Sequence, residues 1–398
     1  MKIALVIEHF NPKRGGAEVY TSYLAGKLAA EGHEVTLFAE NWSSEPARVN
    51  MVAVPVKGIT AAGRALSFAT ESAHMAADGG FDVVHSMARI LKMSVYQPHG
   101  GVMRASLERS LATTASPIHQ GLRKAARWLN TKTDMLLEIE GIIYEAKRPP
   151  RLVAISKMVA EDMKRYYGVA ADKIDVVYNG VDTQRFRPEN RVAARASVRE
   201  AVHVNEDDTL FLLVAHNYRL KGVEVFIRTI AELARAGHDK VRGLVVGDGD
   251  VRAYKGLAEK LRVSDRVIFH PGVTDLERYY TAADVYLHPA FYEPMGLVVL
   301  EALASGLPVV TTKFTGASEI ITHGVDGFVV SEPRDIKGIL EATQALLDKR
   351  RRDDIGLAAR ALAEKYPLER NYRGILEVYE RAIAEGSGAG LELKRGDL

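Results

Sequence analysis

The chain of 398 residues has no cysteine, which excludes disulfides and thiolate metal sites and fits a reducing compartment. It has almost no surplus of charge: 53 basic against 51 acidic residues leave a net +2. That balance argues against a nucleic-acid binder acting through overall charge. Long apolar runs are also missing, and none reaches the ~18 residues that a membrane-spanning helix needs. The opening MKIALVI is a strand-length run without the cleavage pattern of a signal peptide. No short-period repeat is present. What remains is the profile of a soluble, cytoplasmic globular protein, with ordinary apolar (47%) and charged (26%) content. The length exceeds what one core usually supports, so two domains are expected.

What is present is an alternation. Strand-like runs at residues 2–7, 35–38, 81–85 and 151–156 are separated by helical patterns, the first at about 17–31. The pattern restarts at 210–215, 243–246, 267–269, 285–288 and 308–311. Alternation of this kind implies parallel sheets covered by helices. Two such series predict an α/β protein of two doubly wound domains with a cleft between them. Residues 177–188 are the best boundary, because Asn179-Gly180 is turn chemistry and Pro188 stops regular structure. A last helical pattern follows Pro367, and the Gly-rich tail 387–398 is expected to be disordered.

The window YEPMGLVVLEALASGLPVVTT holds two charges, Glu293 and Glu301. Glu301 sits in a helix that is apolar almost all round, and a buried carboxylate needs a partner. Eight residues of helix rise ~12 Å, which suits two ends of an extended ligand better than two carboxyls sharing a proton. Between them the amides of Gly296, Leu297 and Val298 open the helix and can face a phosphate. The pattern reads as a clamp on a sugar, a diphosphate and a ribose. In AHNYRLKG, Arg219 and Lys221 fall at the carboxyl edge of a strand, where cations neutralise a diphosphate. Alone, that pair reads better as a solvated loop. Gly15 and Gly16 follow the first strand and allow close approach of backbone to an anion, although a plain tight turn explains them equally well. No G-x-G-x-x-G is complete. His99, in YQPHGG, lies in a loop, where binding residues concentrate; His85 is the weaker histidine. No clustered Asp/His set is evident, so no metal is expected.

Taken in order, Gly15-Gly16, "VYNGVD", Lys221-Gly222, "VVGDG", "VIFHPGVTDLERYYTAADVYLHP" and Glu293-x7-Glu301 resemble the retaining glycosyltransferases of family four, which have the GT-B fold. The resemblance spans nearly the whole chain. A narrower likeness, carried by "VPVKGITAAGRALSF" and the Glu293 window, is to glucosyltransferases of the lipopolysaccharide core. The resemblance implies an acceptor-binding domain 1–182, rejoined by the C-terminal helix at about 368–386, and a nucleotide-sugar-binding domain 183–367. It implies that Glu293 bonds the sugar hydroxyls and Glu301 the ribose. Lys221 then stabilises the departing diphosphate, and Gly16, Met295 and Gly296–Val298 line phosphate and sugar. Val273 offers backbone to the base, and His99 reaches the sugar's C6 hydroxyl. No cofactor beyond the donor is implied, and UDP-glucose is the favoured nucleotide sugar. Two departures stand out: Ala215-His216 replaces the usual Gly-Arg, leaving Arg219 to deputise, and Met295 replaces phenylalanine. Rival readings are a GT-B nucleotide-sugar epimerase and a non-catalytic sugar-nucleotide or glycan-binding protein. Oligomeric state is left open.

Residues 101–132 carry Arg104, Arg109, Arg123, Lys124, Arg127 and Lys132 with Trp128 on the edge, against one acid, Glu108. A basic amphipathic helix of this type seeks an anionic membrane surface, although a solvated face is the bland alternative. A lipid-linked glycan acceptor, which the narrower likeness implies, favours a peripheral position on the inner face of the cell membrane.

Overall fold

In the opening strand, β1 (Lys2–Val6), every residue after Lys2 is buried. Such a strand is covered on both faces, as central strands of parallel sheets are. The computed structural model describes residues 1–13, 15–114, 116, 118, 120–121 and 130–386; Arg123, Lys124, Arg127, Trp128 and the tail 387–398 lie outside the described residues. Beyond β1 the first half forms β2 (His9–Phe10), β3 (Glu34–Ala39), β4 (Asn41–Trp42), β5 (Val49–Ala53), β6 (Val83–Ser86), β7 (Val95–Tyr96), β8 (Arg151–Ala154) and β9 (Ile174–Val176). Seven of these make a sheet in the order β5-β3-β1-β6-β7-β8-β9, and β2 pairs with β4 apart from it.

The second half repeats the plan with β10 (Thr209–Val214), β11 (Val241–Val246), β12 (Val267–His270), β13 (Val285–His288), β14 (Val309–Thr312) and β15 (Phe328–Val330). Their order is β12-β11-β10-β13-β14-β15, again with parallel pairing throughout. Both sheets therefore start in the middle, run to one edge, and return to fill the other. This is the Rossmann arrangement, and it leaves a crevice where the strand order reverses. The reversal falls between β1 and β6 in one sheet and between β10 and β13 in the other. Strands β5, β7, β9 and β15 have no counterpart among the sequence-based runs. They are short or lie at a sheet edge, where periodicity has too few residues to register.

The chain divides into two compact units, Met1–Tyr178 with the chain from Asn371 onward, and Asn179–Arg370. The helix Leu368–Ala384 carries the return crossing and buries Tyr372, Ile375, Val378, Tyr379 and Ala382. These pack in one apolar cluster with Ile3, Leu5, Leu24 and Leu28. Within it the Tyr379 hydroxyl lies 2.8 Å from His85 Nδ1, across 294 residues of sequence. Burial holds His85 neutral, its pKa pushed down to about 3. The last helix is thus part of the first unit's core. Ile375→Ala should cost about 2–5 kcal/mol by cavity formation. Native-state hydrogen exchange should show lost protection in β1 and β6 while β10 and β13 keep theirs; equal loss in both units would contradict this assignment.

Candidate functional site

The reversal point of the second sheet lies between β10 and β13, and the loops after these two strands carry Lys221 and Glu293. They are locked together by backbone. The Phe291 amide donates to the Leu220 carbonyl at 2.7 Å. Gly222 adopts φ 76°, and a Cβ there would stand 2.1 Å from the Pro289 carbonyl oxygen. Only glycine meets both conditions, since it has no side chain and tolerates positive φ. Lys221 is thereby set against the second loop, and its Nζ lies 2.5 Å from Glu293 Oε2 and 3.4 Å from the Tyr292 carbonyl.

Glu293 is pinned just as firmly. Its amide donates to the Phe314 carbonyl at 2.8 Å, and its carbonyl accepts from the Gly316 amide at 2.9 Å. The Ala317 amide bonds the carbonyl of buried Met295 at 2.7 Å. His288, wholly buried at the end of β13, places Nε2 3.5 Å from Glu293 Oε2. Burial alone would raise the Glu293 carboxyl; Lys221 and His288 outweigh it and hold the pKa down at about 2. Gly296, at φ 86°, turns the chain into the helix Leu297–Ala304. The first amides to bond back onto Gly296 are those of Val299 and Leu300, so the Leu297 and Val298 amides begin the helix as donors.

Glu301 has a partner within the protein: the Tyr280 hydroxyl donates to Glu301 Oε2 at 2.8 Å, with the Val298 carbonyl 3.1 Å from the same hydroxyl. One neutral donor does not offset burial, and the Glu301 pKa is pushed up to about 7. Arg185, which also lowers it, spends its guanidinium on Glu277 and the Thr274 carbonyl. That second bond fixes the loop holding Val273, which is half-buried after β12. Arg219 is exposed in the loop after β10, as is His216.

Gly15, Gly16 and His99 belong to the first unit. Gly15 precedes the helix Gly16–Ala30, and a Cβ on it would stand 2.2 Å from a carboxylate oxygen of Glu18. The helix start is thus covered by its own Glu18. His99 lies against Tyr20, ring centroids 4.4 Å apart, and burial lowers its pKa to about 3. It is a neutral imidazole, suited to hydrogen bonding and not to carrying charge. A cavity of about 240 Å³ opens at the β1–β6 reversal, lined among others by Glu8, His9, Glu18, Phe68, Met87 and Arg89. Glu8, His9 and Glu40 form the one group among the described residues whose ligand atoms could meet a metal ion. His9 Nδ1 lies 3.1 Å from Asn41 Nδ2 and Glu40 pairs with Arg64, so the set is already engaged. Of the basic residues, Arg104 is exposed but stacks on Tyr167, 4.3 Å from the ring centroid, and donates to the Tyr166 carbonyl. Arg109 and Lys132 are half-buried. No helix among the described residues is long and apolar enough to cross a membrane.

Comparison with known proteins places these features in a family. The Glycosyltransferase Family 4 model matches residues 14–185, and the model of group 1 glycosyl transferases matches 195–362. The chain is 31% identical to the D-inositol 3-phosphate glycosyltransferase of Nocardia farcinica, covering 98% of this chain and 91% of that one. It is 26% identical to the lipopolysaccharide glucosyltransferase WaaG of Escherichia coli strain K12, over 80% and 82% of the two chains. The crystal structure of WaaG, a glycosyltransferase involved in lipopolysaccharide biosynthesis, superposes with a TM-score of 0.79 at 25% identity, over 98% of this chain and all of that one. Anabaena HepE, solved with UDP-glucose, shares the fold at a TM-score of 0.72 and 18% identity, over 96% and 100% of the two chains.

The two carboxylates have opposite linkage to pH. Glu293, with its folded pKa below the ordinary 4.5, adds stability that is present above pH ~4.5 and lost as pH falls toward 2. Glu301, raised above 4.5 to about 7, binds its proton more tightly when folded. Its ionisation therefore subtracts stability as pH rises from about 4.5 to about 7. Glu301→Gln keeps an acceptor for Tyr280 and removes the titration. The melting temperature of Glu301→Gln minus that of the wild type should rise between pH 5 and pH 7.5 and level off above. A difference that stays flat across this range would rule out the raised carboxyl.

Proposed function

The chain belongs to glycosyltransferase family 4, and from that premise we propose that it transfers a hexose, glucose from UDP-glucose, to a lipid-linked glycan with retention at the anomeric carbon. The observation that carries the reading is the meeting of Lys221 and Glu293 at the reversal point of the second sheet, with Glu301 on the helix that starts there. The donor's diphosphate would lie over the first amides of that helix and against Lys221, where cation and dipole act together on developing negative charge. The sugar hydroxyls would donate to Glu293 and the ribose hydroxyls to Glu301. The acceptor hydroxyl then attacks the anomeric carbon from the face that the diphosphate leaves. The bond from that carbon to the diphosphate oxygen breaks, the new glycosidic bond forms, and the departing diphosphate takes the acceptor's proton. No carboxylate nucleophile is required. Lys221 and the amides balance the diphosphate, so turnover is expected without added metal.

The glucosyl donor is supported by the likeness to an LPS glucosyltransferase, and the acceptor by the cavity at the first unit's reversal point. Its carboxylates and imidazole suit sugar hydroxyls, and Phe68 and Met87 give an apolar wall of the sort that binding pockets use. The basic stretch 101–132 supplies attraction to an anionic membrane, each cation near the surface contributing about 1 kcal/mol.

Calorimetric titration without metal tests the donor half. UDP-glucose should bind in preference to GDP-mannose and UDP-N-acetylglucosamine. Lys221→Ala and Glu301→Ala should each weaken that binding at least about tenfold, as loss of a charge-assisted contact does. Glu293→Gln should lower the rate of glucosyl transfer about 100-fold. Binding of none of the three nucleotide sugars would sink the proposal.

A further inference from the structure

His288 is used by nothing in the mechanism above, yet it is wholly buried beside the central carboxylate. Its ring stacks on Tyr286, two residues earlier on β13, with centroids 5.8 Å apart and planes 13° apart. The Tyr286 hydroxyl lies 3.4 Å from Nδ1. The His288 carbonyl accepts from Thr311 Oγ1 at 3.0 Å, so backbone and ring are both held. If Nδ1 accepts from the tyrosine hydroxyl, the neutral ring bears its proton on Nε2, which lies 3.5 Å from Glu293 Oε2. Burial lowers the His288 pKa, which keeps the ring neutral beside Lys221.

Lys221 Nζ and His288 Nε2 converge on the same oxygen, Oε2, and neither contact uses Oε1. This matters because Lys221 has two claims on it. It neutralises Glu293 in the free protein, and in the reading proposed above, on which this inference rests, it must turn to the diphosphate. A half-buried carboxylate that loses its lysine would be drawn toward protonation or rotation. A movement of about 0.3 Å brings Nε2 into hydrogen-bond range of Oε2, and the ring lies parallel to Tyr286.

We propose that His288 is a positioning residue, holding the Glu293 carboxylate by Oε2 while Lys221 is drawn to the diphosphate, so that Oε1 stays aimed at the sugar. A glutamine at this position can present an amide N–H much as Nε2 does; a leucine cannot. The test compares His288→Leu and His288→Gln with the wild-type enzyme. Affinity for free UDP, which does not engage Glu293 in this scheme, should stay within about twofold in all three. The kcat for consumption of UDP-glucose should fall at least about tenfold in His288→Leu and recover to within about threefold in His288→Gln. An unchanged kcat in His288→Leu overturns the proposal, as does an equal loss in both variants accompanied by loss of UDP binding, which marks a merely structural residue. A second measurement needs no ligand. In a double-mutant cycle of His288→Leu and Glu293→Gln, read by thermal unfolding, the two effects should be non-additive; additivity overturns the contact. A wild-type protein that binds no nucleotide sugar but shows this coupling would refute the glycosyl-transfer reading and leave the His288–Glu293 contact standing.

Discussion

Two loops that cannot move apart determine the geometry of the second unit's site. Gly222 lies so close to the Pro289 carbonyl that any side chain would separate the loops, and the Phe291–Leu220 hydrogen bond closes the same seam. Once the seam is closed, the ammonium of Lys221 is brought to the carboxylate of Glu293. The further bonds from Glu293 to Phe314 and Gly316, and from Met295 to Ala317, tie the second loop to the segment after β14. A partly buried ion pair is weak grounds for stability, because desolvation offsets much of the attraction. Such expense of backbone on the placing of one pair makes sense when the pair has chemistry to do.

The two units share a topology and differ in what lines it. In each, the strand order reverses beside the first strand, and the loops at that point are the natural place for a ligand. The second unit puts a lysine, a glutamate and a helix start there. The first puts Glu8, His9, Glu18 and Arg89 around a cavity, and covers its own helix start with the Glu18 carboxylate. A fold repeated twice does not mean a site repeated twice, since function resides in the side chains grafted onto it. The helix from Gly16 has Glu18 in its first turn, whereas the helix from Leu297 has no acid there.

The long central strands were legible in the sequence because strands buried on both faces read as unbroken apolar runs. Residues 285–288 were read without error, and β1, β10 and β11 to within a residue or two. Short strands such as β9 and β15, with three residues each, give no periodicity to read. Glu293 and Glu301 were conspicuous as the only charges in an apolar window. Their partners were not, because partnership is a matter of space. Tyr280 precedes Glu301 by 21 residues and looks like any core tyrosine. His288 sits at a strand end that periodicity marks only as buried. The rule that a buried carboxylate needs a partner pointed to Glu301 without saying which residue of the fold would meet it. At Gly15-Gly16 the sequence shows the turn but not the nearness of the Glu18 carboxylate. For the basic stretch, Arg104 shows how charge in sequence can be occupied in space, its guanidinium stacked on Tyr167.

The opposed states of the two carboxylates fit a single occupant. Glu293 has more compensation than it needs, with a cation and an imidazole on one oxygen. Glu301 has less than it needs, with one phenol against desolvation that raises its pKa to about 7. A ligand carrying negative charge at one place and hydroxyl donors at another would correct both. Its charge would draw Lys221 from a carboxylate that keeps His288, and its hydroxyls would give Glu301 the donors it lacks. Glu293 would then rise from its lowered value with His288 still beside it, whereas Glu301, given donors, would favour its ionised form. A nucleoside diphosphate sugar has this distribution of groups, with hydroxyls flanking a diphosphate. The imbalance between the two carboxylates is therefore a property of the same residues that the proposed donor would satisfy.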